Sequence, residues 1–243
     1  MSTAHGSATR GARARARIEV TAAIKDEARR QLAADGAAKL SLRAVARELG
    51  MVSSALYRYF PSRDDLLTAL IIDAYDSLGE AAEQAYGAVA DAGHLRRWTA
   101  VCEAARGWAL AHPHEYALIY GTPVPGYQAP DSTVPAAARV ALLLIGIARE
   151  AHQGTGLSEQ PIPADLLPEA ERIAADIAPD LPPAVAAALV AAWAQLFGLI
   201  GFELFGQFHR VVEDRETFFR HAAVRLAREV GLSGEHEVGL SGE

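Results

Sequence analysis

His112, His114 and Glu115 lie close together and Cys102 is the single cysteine, so metal binding or nucleophilic chemistry would fall first to these residues. Their spacing fits no strong zinc pattern, and His112-Pro113 reads as a helix end, where a histidine is favourable by itself. One cysteine allows neither an intrachain disulfide nor a Cys-rich zinc site. The chain carries no Gly-rich phosphate loop, no nucleophile elbow and no His-Glu-x-x-His. An enzyme is therefore not expected, nor are a cofactor and a metal.

A different chemistry is written in the arginines. Arg10, Arg13, Arg15 and Arg17 open the chain, and the net charge of −7 over 243 residues hides a division. Residues 1–63 hold 12 Lys+Arg against 5 Asp+Glu, which leaves 11 against 25 in the remainder of the 23 and 30 overall. A basic front can approach a polyanion that repels the acidic rest, so nucleic-acid contact is expected at the front alone. Hydrophobic residues at 51% and charged residues at 22% mark an ordinary globular chain. The first residues contain no apolar h-region, so no secretory signal is expected, and the lone cysteine suits a reducing cytoplasm.

Positioning these residues falls to helices. Residues 1–16 lack apolar periodicity and read as a flexible basic arm. Val20, Ile24, Ala28 and Leu32 then recur at four-residue intervals, a first helix ending at Asp35-Gly36. Ser41 reads as an N-cap ahead of Leu42, Val45, Ala46 and Leu49, and Gly50 ends that second helix. Ser53 or Ser54 starts a third, short helix through Leu56, Tyr57 and Phe60, which Pro61 closes. Ser62 followed by Asp65 resembles a capping box and opens a long helix with Leu66, Leu67, Leu70, Ile71, Ala74 and Leu78. Further helical stretches fall near 94–111, 114–120, 134–152, 165–178, 183–210 and 214–230, with Pro- and Gly-rich breaks between them. The expected fold is all-α. EVGLSGE occurs at 229–235 and again at 237–243, and residues 233–243 read as a disordered tail.

Two short helices about a glycine turn, with small Ala46 where they cross, make the geometry that lays a second helix in a DNA major groove. The stretch SLRAVARELGMVSSALYRYFPSRDDLL, Ser41 to Leu67, resembles the DNA-binding segment of TetR-type bacterial transcription regulators, LYRYFPSRDDLL being its specific part. That resemblance implies a three-helix helix-turn-helix head over 17–63 joined to a larger helical ligand-binding and dimerisation domain over 64–232. It also implies that Arg43 reaches a base and that Ser53, Ser54 and Ala55 form the reading tip. Tyr57, Tyr59, Arg63 and Ser41 would touch phosphates and set the register. Where the family often has Ser or Thr after the turn, this chain has Val52, so Ser53 can be drawn into capping. The implied activity is a dimeric repressor on a palindromic double-stranded DNA operator, released by a small-molecule effector, in the cytoplasm and without a membrane. A helical adaptor or ligand-binding protein that does not use DNA is the alternative, marked by salt-insensitive binding. Behind it stands a helical enzyme using His112, His114 and Glu115 or Cys102, marked by turnover lost on their mutation.

In the acidic part, GWALAHPHEYALIYGTPVPGY resembles the TetR-type C-terminal domain named for Trp, His and Gly, here Trp108, His112 and Gly121. Trp98, Cys102, Trp108, Tyr116, Tyr120 and Glu203 are the expected effector contacts, although an aromatic stripe at helical spacing also serves as plain core. Ala184 to Phe202 is free of charge and long enough to span a membrane, but its alanines and flanking acids favour a buried helix. Trp193, Leu196, Phe197, Ile200, Leu204 and Phe208 are the expected homodimer contacts. Glu203 inside that apolar run is costly unless it is paired or binds ligand.

Overall fold

The structure, a computed structural model, describes residues 4–154, 156–158 and 161–233, with side chains from Gly11 onward. It is all-α as expected, with eleven α-helices among the described residues. They are α1 (Ala4–Asp35), α2 (Leu42–Glu48), α3 (Ser53–Leu56), α4 (Arg63–Ala88), α5 (His94–Ala111), α6 (Pro113–Tyr120), α7 (Val134–Ala137), α8 (Arg139–Gln153), α9 (Leu167–Ile177), α10 (Pro183–Leu204) and α11 (Arg215–Val230).

The chain divides into two compact units, the first built from residues up to 74 with 114–133, the second from 75–113 with 134 onward. In the first unit, Ile24, Ala28 and Leu32 of α1, Leu42, Val45 and Ala46 of α2, Leu56 of α3 and Leu66, Leu67 and Leu70 of α4 form one buried cluster. Residues 114–133, which the sequence reading counts with the acidic domain, cluster with this unit. Leu118, Val124 and Tyr127 pack against its core, Arg29 Nε donates to Glu115 Oε1 at 2.9 Å, and Thr68 Oγ1 meets the Tyr127 hydroxyl at 2.9 Å. These long-range contacts leave no local pattern in sequence.

A second difference concerns residues 4–16, expected as a flexible arm. They are helical and continuous with the rest of α1. From Ala12 to Arg17 the segment is alternating alanine and arginine, among the best helix formers, and a helix already nucleated gains one hydrogen bond for each residue added. The absence of apolar periodicity shows only that this part of α1 has no core to face.

In the second unit α5 is the central helix. Trp98 is fully buried there, its Nε1 donating to the Ala223 carbonyl of α11 at 3.1 Å. α10 is apolar and long enough to cross a membrane by length and composition, yet it packs on α9, α11, α5 and α8. Its Glu203 is buried and forms a two-pronged ion pair with Arg106 of α5, both bonds 2.7 Å, and the Arg106 guanidinium also lies 5.4 Å from the Phe219 ring centre. Glu203 holds the Arg106 pKa above its usual value. The first EVGLSGE copy contributes structure: Val230 and Leu232 are buried, and Leu157 and Leu232 make an antiparallel bridge. Gly231 sits at φ 102°, where a side chain would also meet the Ser158 carbonyl. Residues 234–243, most of the expected tail, lie outside the described residues.

Glu203→Ala strands the Arg106 charge in a buried site, and urea denaturation is expected to show a loss of about 3 kcal/mol. Arg106→Met combined with Glu203→Leu, which removes both charges, should recover most of it.

Candidate nucleic-acid interface

The turn between α2 and α3 is set by backbone geometry. Gly50 adopts φ 63°, its N–H bonds the Arg47 carbonyl at 3.1 Å, and the Met51 N–H reaches the Ala46 carbonyl at 2.8 Å. This is a Schellman stop, which needs a residue comfortable in the left-handed region. At the other end of α2 the Ser41 hydroxyl accepts from the Ala44 N–H at 3.4 Å, so its first duty is the N-cap. Ser62 accepts from the Asp65 N–H at 3.0 Å and donates to the Asp65 carboxylate at 2.7 Å, the capping box read in sequence. α3 begins after Val52, which supplies no side-chain cap, and Ser53 therefore stands at the first helical position with its side chain exposed. Ser54 and Tyr57 are exposed beside it, Ala55 is half-buried, and Leu56 anchors the turn at 0% exposure.

Arg43 is exposed on α2, and a cleft of about 440 Å³ brings Ser41, Arg43 and Tyr57 together with Ser62 and Arg63. Such a concave, donor-rich face is suited to a phosphate backbone. Within it Arg63 departs from the role expected of it. Its Nε donates to the Leu40 carbonyl at 3.2 Å and its Nη2 to Ala37 and Ala38 carbonyls at 2.9 and 3.3 Å, while Nη1 lies 3.5 Å from Asp64. Arg63 is thereby committed to satisfying carbonyls of the turn that enters α2. Tyr59 is half-buried against the head core, and its ring carries the Arg17 guanidinium at 5.2 Å. Arg17 escaped the sequence reading as a site residue because contact between α1 and the end of α3 has no local signature.

The six expected effector contacts are distributed over both units. Trp98 and Cys102 are wholly buried in α5, and burial pushes the Cys102 thiol up, away from nucleophilic use. Trp108 donates to the Ser77 hydroxyl at 2.9 Å and stacks on His112 at 5.2 Å. Tyr116 and Tyr120, their rings 5.2 Å apart, belong to the first unit. Glu203 is occupied by Arg106. The second unit instead offers a groove of about 500 Å³ between α8, α9 and α10, lined by Leu142, Ile145, Ile177, Val190 and Trp193 with Asp176 as its acid.

Three of the expected dimer contacts are buried within the chain itself. Leu196, Phe197 and Ile200 face the chain's own core at 1%, 6% and 0% exposure, since α10 buries that face against its neighbours. Trp193 is exposed, while Leu204 and Phe208 are half-buried. The opposite face presents Ala191, Ala194, Gly198, Phe202 and Phe205.

A capped helix-turn-helix with an exposed reading tip, in a chain with a second all-helical unit, defines a helix-turn-helix transcription regulator. Residues 24–70 match the family described as bacterial regulatory proteins, tetR family, and residues 98–226 match the tetracyclin repressor-like C-terminal domain. HTH-type transcriptional regulators Mb1846 of Mycobacterium bovis and Rv1816 of Mycobacterium tuberculosis are each 42% identical over 210 residues, covering 82% of this chain and 86% of theirs. The crystal structure of the regulatory protein SCO4313 matches with a TM-score of 0.71 and 34% identity over 87% of this chain and 97% of its own. The chain belongs to the TetR family of bacterial transcriptional regulators and is not an enzyme.

Arg63→Gln gives up the charged donor to three carbonyls and is expected to lower head stability by about 1.5 to 3 kcal/mol in thermal or urea unfolding. The same variant should change the slope of log DNA affinity against log salt by less than the ~0.9 that one lost phosphate contact produces.

Proposed function

We propose that this regulator is a homodimeric repressor that reads a palindromic operator and is released by a small molecule. The observation that carries the DNA half of the reading is the exposure of Ser53, Ser54, Tyr57 and Arg43, with Arg43 and Tyr57 lining one cleft. Arg43 supplies bidentate readout, and the small serines leave the rest to thymine methyls and duplex shape. Ser41, Tyr57 and Tyr59 set the register on phosphates. A cytoplasmic site of action accords with a regulator of bacterial DNA.

The dimer reading rests on the outward face of α10. Ala191, Ala194 and Gly198 permit close approach of another helix, and Phe202 and Phe205 are exposed at 55% and 48%, with Phe218 of α11 at 43%. Large apolar side chains held at a surface on a small-residue face suit a two-fold copy of the same helices. Two heads so joined read half-sites about 34 to 36 Å apart. An effector that fits only when the heads stand at another spacing lowers DNA affinity by its own preference between the two states. The groove beside Trp193 has the volume and apolar lining for such a molecule, with Asp176 to select a donor or cation.

Fluorescence anisotropy with a duplex from the region upstream of the protein's own coding sequence tests the DNA half: Arg43→Ala is expected to cost about 1 to 3 kcal/mol, and binding indifferent to salt would sink the reading. In sedimentation equilibrium the protein should run as a dimer, and Phe202→Asp should shift it toward monomer while weakening DNA binding. A wild-type monomer at tens of micromolar would overturn the dimer.

A further inference from the structure

We infer that the N-terminal part of α1 is a second DNA-contacting element, in which Arg17 and Arg13 bind backbone phosphates beside the recognition helix and do not enter the minor groove. This deepens the DNA-binding reading and rests on it. Three observations meet here. α1 runs unbroken from Ala4 to Asp35, so the basic segment is a rod whose direction is fixed by the packed part of the same helix. Arg17 lies over the Tyr59 ring at 5.2 Å, which joins α1 to the segment just after the recognition helix. Arg13 sits one turn earlier on the same side, about 6 Å farther along the axis, whereas Arg15 lies about 200° round the helix from either.

Size decides which groove feature these cations can meet. A helix with its side chains is about 10 to 12 Å across, and the minor groove of B-DNA is about 6 Å wide, so a helical segment cannot follow that groove as an extended arm does. Phosphates at its rim remain accessible to long guanidinium side chains. Their attraction is sequence-independent and appears as released counterions. Arg17 has a second role as a positioning residue, since its stacking on Tyr59 orients the phenol toward the same strand.

The test measures anisotropy from 50 to 200 mM salt on a 40-bp duplex from the protein's own upstream region and on a scrambled duplex of equal composition. Arg13→Gln with Arg17→Gln is expected to flatten the log–log slope by about 1.8 per head, so that the wild-type advantage shrinks about tenfold per head across that range, equally on both duplexes. Arg15→Gln, from the other side of the helix, should leave the slope nearly unchanged, and Arg17→Lys should retain it while losing affinity through Tyr59. Circular dichroism of each variant should match the wild type, as the side chains are exposed. Netropsin bound to the minor groove should leave the difference between wild type and double variant intact. An unchanged slope in the double variant, an Arg15 effect equal to that of Arg13, or loss of the difference under netropsin overturns the inference. If the wild type itself shows no salt-dependent binding, the DNA-binding reading fails instead.

Discussion

A four-residue helix has no stability of its own in water, because nucleation costs more than so few hydrogen bonds return. α3 is such a helix, and everything it could do to a duplex depends on how it is held from outside. Leu56 and, just beyond the helix, Phe60 tie it to the buried cluster that also holds Leu66 and Leu67, and the left-handed Gly50 fixes where the chain leaves α2. Because Leu56 and Phe60 take the inward positions, Ser53, Ser54 and Tyr57 are forced outward. The reading face is thus a by-product of the head's core.

Charge is handled differently in the two units. In the second, arginines are largely spent on internal pairs: Arg97 with Glu150, Arg106 with Glu203, Arg139 with Asp76 and Glu83, and Arg149 with Asp180. Most are partly exposed pairs, which hold helices in register more than they add stability. The first unit also uses Arg29 and Arg63 internally, on Asp73, Glu115 and backbone carbonyls. Arg43 and Arg13, Arg15 and Arg17 of α1 remain on the surface. The division of charge seen along the sequence therefore survives folding, although fewer of the head's cations face outward than its composition suggests.

Elements whose signal is local were legible in the sequence. The four-residue stripe of α1, the Ser41 cap, the Gly50 stop and the Ser62-Asp65 box were all readable because each works within one or two turns. What was lost depends on distant partners. Arg63 carries the same residue type whether it faces phosphate or the carbonyls of Ala37 and Leu40. Tyr116 and Tyr120 read as part of the acidic region until Arg29 and Thr68 are seen to hold their segment in the other unit. α10 misleads for another reason: alanine and phenylalanine occur on both of its faces, so periodicity cannot say which side is the interior. In the first residues, intrinsic propensity held the information and the apolar pattern did not.

The duplicated heptapeptide near the end of the chain acquires a meaning from the bridge between Leu157 and Leu232. The first copy supplies Val230, Gly231 and Leu232, which close α11 against the loop after α8. The second copy, at 237–243, repeats those residue types after the intervening His236. Among the described residues the closing contacts of α11 thus come from the first copy, which makes the second a duplicate in sequence of a stretch that already has its structural place.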